Sequence, residues 1–192
     1  MKAMFVPMLA LLATGCMTTA GDDHGHGGPP SSDNTALALE AGGVRLVTLA
    51  SGSTRPVGFG ATAAEANAAV ALTQGQRGQE AQLSDCSAVE SGRLIHTSWP
   101  ENGLDIATDP ATGRFVGWNV SRPGLATMNG IGVGTTRADL ERAFTVEMVT
   151  DSSLEHEFQI GDGEYGLSGL LDGPGPNARV IVMWSGTVCQ HR

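Results

Sequence analysis

The feature that most restricts what this chain can fold into is a stretch that occurs twice. Residues 57–70 read VGFGATAAEANAAV and residues 131–144 read IGVGTTRADLERAF. At an offset of 74 positions Gly58 meets Gly132, Gly60 meets Gly134, Thr62 meets Thr136, Ala64 meets Ala138 and Ala69 meets Ala143. Thr62-Ala-Ala-Glu65 and Thr136-Arg-Ala-Asp139 both have the form of a capping box. In that motif a Thr hydroxyl accepts from the backbone N–H three residues on, and an acid sits in the first helical turn. Ala66, Ala69 and Val70 then fall at i, i+3 and i+4, as do Leu140, Ala143 and Phe144. Each set makes one apolar stripe, so short helices are expected over 62–72 and 136–144.

Strand signals follow each helix. Gly103-Leu104-Asp105 precedes Phe115-Val116-Gly117-Trp118, and Gly166-Leu167-Ser168 precedes the apolar run Val180 to Trp184. The segments between them, DPATG at 109–113 and DGPGP at 172–176, are rich in residues that reverse a chain. Further strands are expected at 44–49, 92–99, 145–150 and 154–160, with a polar loop at 73–85. The expected fold class is α+β, built as two tandem repeats, 41–123 and 124–192, each a short helix packed on antiparallel strands.

Alternating glycines before a helix also raise the question of phosphate binding. A P-loop needs G-x-x-x-x-G-K-[ST], and residues 130–144 contain no Lys. A dinucleotide fingerprint needs G-x-G-x-x-G after a strand. Gly130, Gly132 and Gly134 alternate instead, and residues 57–70 have no basic residue at all. A structural turn used twice is the simpler reading; anion binding at the second helix, aided by Arg137, is the alternative.

The chain opens MKAMFVPMLALLATGC. Lys2 followed by an apolar run too short to span a bilayer fits a secretory signal over 1–15. Leu12-Ala13-Thr14-Gly15-Cys16 resembles the lipobox of bacterial lipoproteins, which implies acylation at Cys16 and anchoring in a membrane. Met17 rather than Asp follows, which by the same resemblance implies outer-membrane sorting with the body facing the periplasm. An ordinary signal peptide with a chance cysteine is the alternative. Residues 16–40, rich at first in Gly, Pro and Ser, are expected to be a flexible tether.

Loss of 1–15 removes the single Lys and takes the formal charge from −9 to −10, 10 Arg facing 20 acids. That balance argues against a nucleic-acid partner and against electrostatic docking on anionic lipid. Cys86 and Cys189 remain, and in an exported chain an even pair reads as a disulfide. A thiol at Cys189 activated by His191 is the weaker alternative.

No G-x-S-x-G elbow, H-E-x-x-H helix or C-x-x-C pair occurs. Asp22, Asp23, His24 and His26 lie in the tether, where no geometry is imposed. Glu155, His156, Glu157, Asp162 and Glu164 lack the regular oxygen spacing of a Ca²⁺ loop and read as a solvated acidic rim. His96 reads as a half-buried strand residue, and Trp118 and Trp184 as core anchors. No metal ligand set, cofactor or catalytic residue is therefore assigned.

Gly134-Thr135-Thr136-x-x-x-Leu140-x-x-x-Phe144 resembles the G-M-T-x-x-x-[VL]-x-x-x-[LF]-G pattern of small exported bacterial modules. These include the SmpA/OmlA-type outer-membrane assembly lipoproteins and the tandem-repeat β-lactamase inhibitor protein. Thr135 stands for the Met and Thr145 for the closing Gly. The resemblance covers about a dozen residues per copy and implies a helix-plus-sheet module, with no binding residue carried over. The function expected is a membrane-anchored envelope lipoprotein with a non-catalytic protein-binding or structural role and an envelope-protein partner. A periplasmic hydrolase, or an inhibitor or ligand-sequestering module, is the alternative.

Overall fold

The computed structural model describes residues 34–162 and 165–189. The signal segment, Cys16 and the acid–histidine run at 22–26 lie outside the described residues. The chain is built mostly of strands arranged in two sheets. β1 (Thr35–Glu40), β2 (Gly43–Thr48) and β3 (Thr54–Gly58) form an antiparallel meander. After α1 (Ala63–Gln74) comes a second meander of β4 (Gln79–Asp85), β5 (Arg93–Trp99), β6 (Leu104–Asp109) and β7 (Arg114–Val120). β8 (Ala126–Thr127) then returns to pair in parallel with β1, completing a four-stranded sheet in the order β3-β2-β1-β8.

α2 (Arg137–Ala143) is followed by β9 (Glu147–Met148), β10 (Glu157–Ile160), β11 (Leu167–Leu171) and β12 (Val180–Gly186). β12 pairs antiparallel with β7, with Met183 opposite Val120 and Gly186 opposite Gly117. The second and third meanders thus join edge to edge in one sheet of order β4-β5-β6-β7-β12-β11-β10-β9.

This corrects the expected fold class. The protein is not an α+β pair of tandem helix-on-strand repeats. Its two described helices have only 12 and 7 residues, against strands forming sheets of four and eight. The physical reason lies at the edges. A four-stranded meander would leave β7 or β12 with unpaired backbone groups, and pairing the two removes both edges at once. Residues 35–58, which enter the first repeated stretch only at Val57 and Gly58, meanwhile supply three of the four strands of a small sheet. Two further expectations change with it, and one strand appears where none was expected. Residues 35–40, assigned to the tether, form β1; 54–58 form β3; and the polar segment 79–85, read as loop, forms β4. In β1 the pattern TALALE buries Leu37 and Leu39, to 7% and 1% exposure.

One main core fills the space between the small sheet, the helices and the inner face of the large sheet. It takes Leu39 and Val44 from the small sheet, Ala66 and Val70 from α1, and Leu140 from α2. Trp99, Ile106, Trp118, Phe158 and Met183 come from the large one. Trp118 ties the sheets together by donating from Nε1–H to the Glu40 carbonyl at 3.0 Å. A second cluster lies on the opposite, outer face of the large sheet around Leu94, Ala107, Trp184, Val188 and Cys86.

Candidate functional site

The two glycine turns are the first place to look, because sequence singles them out. Thr62 Oγ1 accepts from Glu65 N–H at 3.2 Å, and Glu65 Oε2 accepts from Thr62 N–H at 2.9 Å, giving a complete capping box. Thr136 Oγ1 accepts from Asp139 N–H at 3.2 Å, but Asp139 is one methylene shorter and meets the Thr136 hydroxyl instead, at 2.7 Å. These hydrogen bonds, chiefly from the facing Thr, hold the Glu65 and Asp139 carboxyls below their ordinary pKa.

Each turn is also clamped by a strand, in a pattern the sequence does not disclose. Gly60 N–H donates to Phe115 O at 2.8 Å, Phe115 N–H donates to Ala61 O at 2.8 Å, and Arg114 Nη1 donates to Gly60 O at 3.0 Å. At the second turn Gly134 N–H donates to Val180 O at 2.8 Å, Val180 N–H donates to Thr135 O at 2.9 Å, and Arg179 Nη1 donates to Gly134 O at 2.7 Å. Arg114 and Arg179 are thus equivalent, although they are 65 residues apart while their turns are 74 apart. Gly60 and Gly134 sit at φ +89° and +94°, which L side chains rarely adopt, and a Cβ on Gly132 would lie 2.3 Å from Leu125 O.

A hollow of about 470 Å³ lies beside the second turn, lined in part by Gly134, Thr136, Asp139, Arg142 and Arg179. Its cations are engaged by the protein's own acceptors. Arg142 Nη1 donates to Asp139 Oδ1 at 2.5 Å, and Arg179 bonds the Gly134 carbonyl. The Asp139 carboxylate occupies the first turn of α2, where an anion would have to approach. The glycines therefore shape backbone, and no anion site is assembled there.

The outer face of the large sheet carries a different arrangement. Register places Gln79 opposite Ser98, Ser98 opposite Asp105, and Asp105 opposite Asn119. Asn119 lies opposite Trp184, Trp184 opposite Ser168, Ser168 opposite Gln159, and Gln159 opposite Glu147. One row of side chains, polar except at Trp184, thus crosses all eight strands. Ser98 Oγ donates to Asp105 Oδ1, and Asn119 Nδ2 donates to Asp105 Oδ2 at 3.0 Å. Asn119 Oδ1 is buried with no hydrogen-bond partner among the described residues. Two residues along β5, on the same face, His96 Nε2 lies 2.8 Å from Ser84 Oγ. Burial lowers the His96 pKa, against a smaller opposing pull from Asp105.

Part of this face is covered by the segment after β12. Cys86 and Cys189 are disulfide-bonded, with Cα atoms 5.5 Å apart. Thr187 N–H donates to Val116 O at 2.8 Å, and a Cβ on Gly117 would meet Thr187 O at 2.4 Å, so the segment after β12 lies flat across β7. His191 lies outside the described residues.

Of the acidic stretch, Glu155 and Asp162 are exposed, as a solvated rim requires, Glu164 lies outside the described residues, and Glu157 departs from the expectation. Glu157 is 1% exposed and accepts from Ser152 Oγ, while Phe158 is fully buried. His156 takes a positive φ of 57° just before β10. Among the described residues no group of three or more His, Cys, Asp or Glu side chains is placed to hold a metal ion. No helix among them is long and apolar enough to cross a membrane.

No family model matches the chain, and no curated protein matches it. Among solved structures it is similar to the uncharacterized protein yfeY from Escherichia coli. The two are 12% identical with a TM-score of 0.39, over 62% of this chain and 87% of that one, a likeness too loose to carry an argument.

Proposed function

We propose that this protein is a lipid-anchored component of a bacterial envelope that binds another protein, without catalysis, through the outer face of its eight-stranded sheet. Cys16 carries the acyl chains, and residues 17–34 give the folded body reach from an outer membrane into the periplasm. The observation that supports the reading is the row of polar side chains across that sheet. Asp105, held from both sides by Ser98 and Asn119, presents a fixed carboxylate acceptor. Ordering these groups in advance lowers what a complex must spend in side-chain entropy.

The test places a photo-crosslinking amino acid in cells at Ser168, which lies in the same row but outside the hydrogen bonds to Asp105. A discrete adduct is expected, lost in Asp105→Lys and kept in the small-sheet variant Arg55→Glu. Adducts that survive Asp105→Lys, or none at all together with turnover of a hydrolase substrate, would reverse the reading. Anchoring is tested separately: Cys16→Ser is expected to move the protein from the membrane fraction to the soluble one.

A further inference from the structure

Away from the outer face, α1 leaves part of the inner face of β5 and β6 uncovered, and the resulting groove has a volume of about 630 Å³, within the range of small-molecule sites. It exists because the side of α1 that overhangs it is built from Ala64, Ala68 and Ala71, whose methyls stop short of the sheet. Its floor is polar. Asn67 Nδ2 donates to Thr97 Oγ1 at 3.2 Å, which leaves Asn67 Oδ1 buried without a partner. Thr108, only 4% exposed, also lines the groove, and its hydroxyl is buried without a partner.

Such groups carry a desolvation cost of about 1–3 kcal/mol each, so two sharing one groove call for a reason. Unbroken antiparallel register between β5 and β6 sets Thr108 opposite Ile95, on the same face as Thr97. Arg77 stands exposed at the rim, and none of the ion pairs among the described residues includes it.

We propose that this groove binds a small carboxylate that carries an amide, as the free C-terminal end of a short peptide with small side chains does. The assignments follow from complementarity. Arg77 takes the carboxylate. Asn67 Oδ1, an acceptor, takes an amide N–H. The Thr108 hydroxyl donates to an amide carbonyl. The alanine wall and Ile95 cover methyl-sized side chains and reject bulky ones. The site shares no residue with the outer-face row, so the two proposals stand or fall separately.

The test is calorimetric titration of the full chain in detergent micelles with N-acetyl-alanyl-alanine and with its C-terminal amide. The carboxylate form is expected to bind with Kd on the order of 1 mM, as fits a ligand of this size, and at least tenfold more tightly than the amide form. Arg77→Gln is expected to abolish that difference. Ala68→Leu, at an exposed helical position, closes the groove without disturbing the core and is expected to abolish binding of both. Thr108→Val is expected to weaken binding at least tenfold while raising Tm, because it removes a buried hydroxyl that has no partner. Equal affinity for acid and amide, binding that survives Ala68→Leu, or a lowered Tm in Thr108→Val with unchanged affinity would each overturn the proposal. So would no heat of binding at about 10 mM of either compound.

Discussion

Breaking the Cys86–Cys189 disulfide is the perturbation whose size the structure sets most directly. The bridge spans 103 positions, so reduction frees a loop of about 100 residues in the unfolded ensemble. The chain-entropy relation assigns such a loop ~4.7 kcal/mol at 25 °C, and residual structure in the unfolded state reduces what is realised. A loss of about 3–5 kcal/mol is therefore expected on reduction. For a folded body of this size that corresponds to a fall in Tm of roughly 6–20 °C. Packing adds a second component. Cys86 is 2% exposed and sits in the cluster with Leu94, Ala107, Trp184 and Val188. Replacing both cysteines by Ala removes buried sulfur as well as the covalent link, and is expected to cost about 1 kcal/mol more than reduction does. The assay is urea unfolding of oxidised, reduced and Cys86→Ala/Cys189→Ala protein, followed by far-UV circular dichroism and tryptophan fluorescence. The slope against urea should rise on reduction, because the unlinked chain exposes more surface when unfolded. Reduced and oxidised forms within 1 kcal/mol of one another, with equal slopes, would refute the reasoning.

Two further predictions follow from the caps and from His96. Thr62→Ala is expected to cost about 1–2 kcal/mol and Thr136→Ala about 0.5–1 kcal/mol, measured as shifts in the urea midpoint, because only the first cap has the reciprocal bond from its acid; the reverse order would show that the shorter Asp139 caps as well as Glu65 does. His96 has a folded pKa below its ordinary 6.5, so between that lower value and 6.5 the unfolded chain binds more protons. Stability should thus be insensitive to His96 above about pH 6.5 and fall as pH drops through the folded pKa. His96→Gln should flatten that part of the stability curve, and an unchanged curve would count against the assignment.

Short-range chemistry accounts for what was legible from sequence. The turns ahead of the helices, the helices at 63–74 and 137–143, and the hairpin of β6 and β7 rest on contacts within a few residues, where spacing and turn composition carry the information. The cysteine pair was legible for another reason, since with the Cys16 thiol assigned to lipid only one pairing remained. What failed did so where polarity and periodicity mislead. QEAQLSD has the composition of a loop, yet it becomes the edge strand β4 because a half-solvated edge tolerates polar side chains. Glu157 reads as surface and is buried, because Ser152 reaches it from the preceding loop.

Sequence alone determined the local units of this protein: two glycine turns that start helices, the strands that follow them, and a cysteine pair that can close a long loop. Tertiary structure alone decided that the two meanders fuse through β7 and β12 into one sheet, and that residues 35–58 and β8 build a second. It also decided that Ser98, Asp105 and Asn119 stand in one row, and that Asn67 and Thr108 share one groove. The physical reason is that backbone hydrogen bonds between strands are indifferent to side-chain identity. Which edges pair is settled by the need to leave few backbone groups unpaired and by the shape of the shared core, neither of which any short stretch of residues contains.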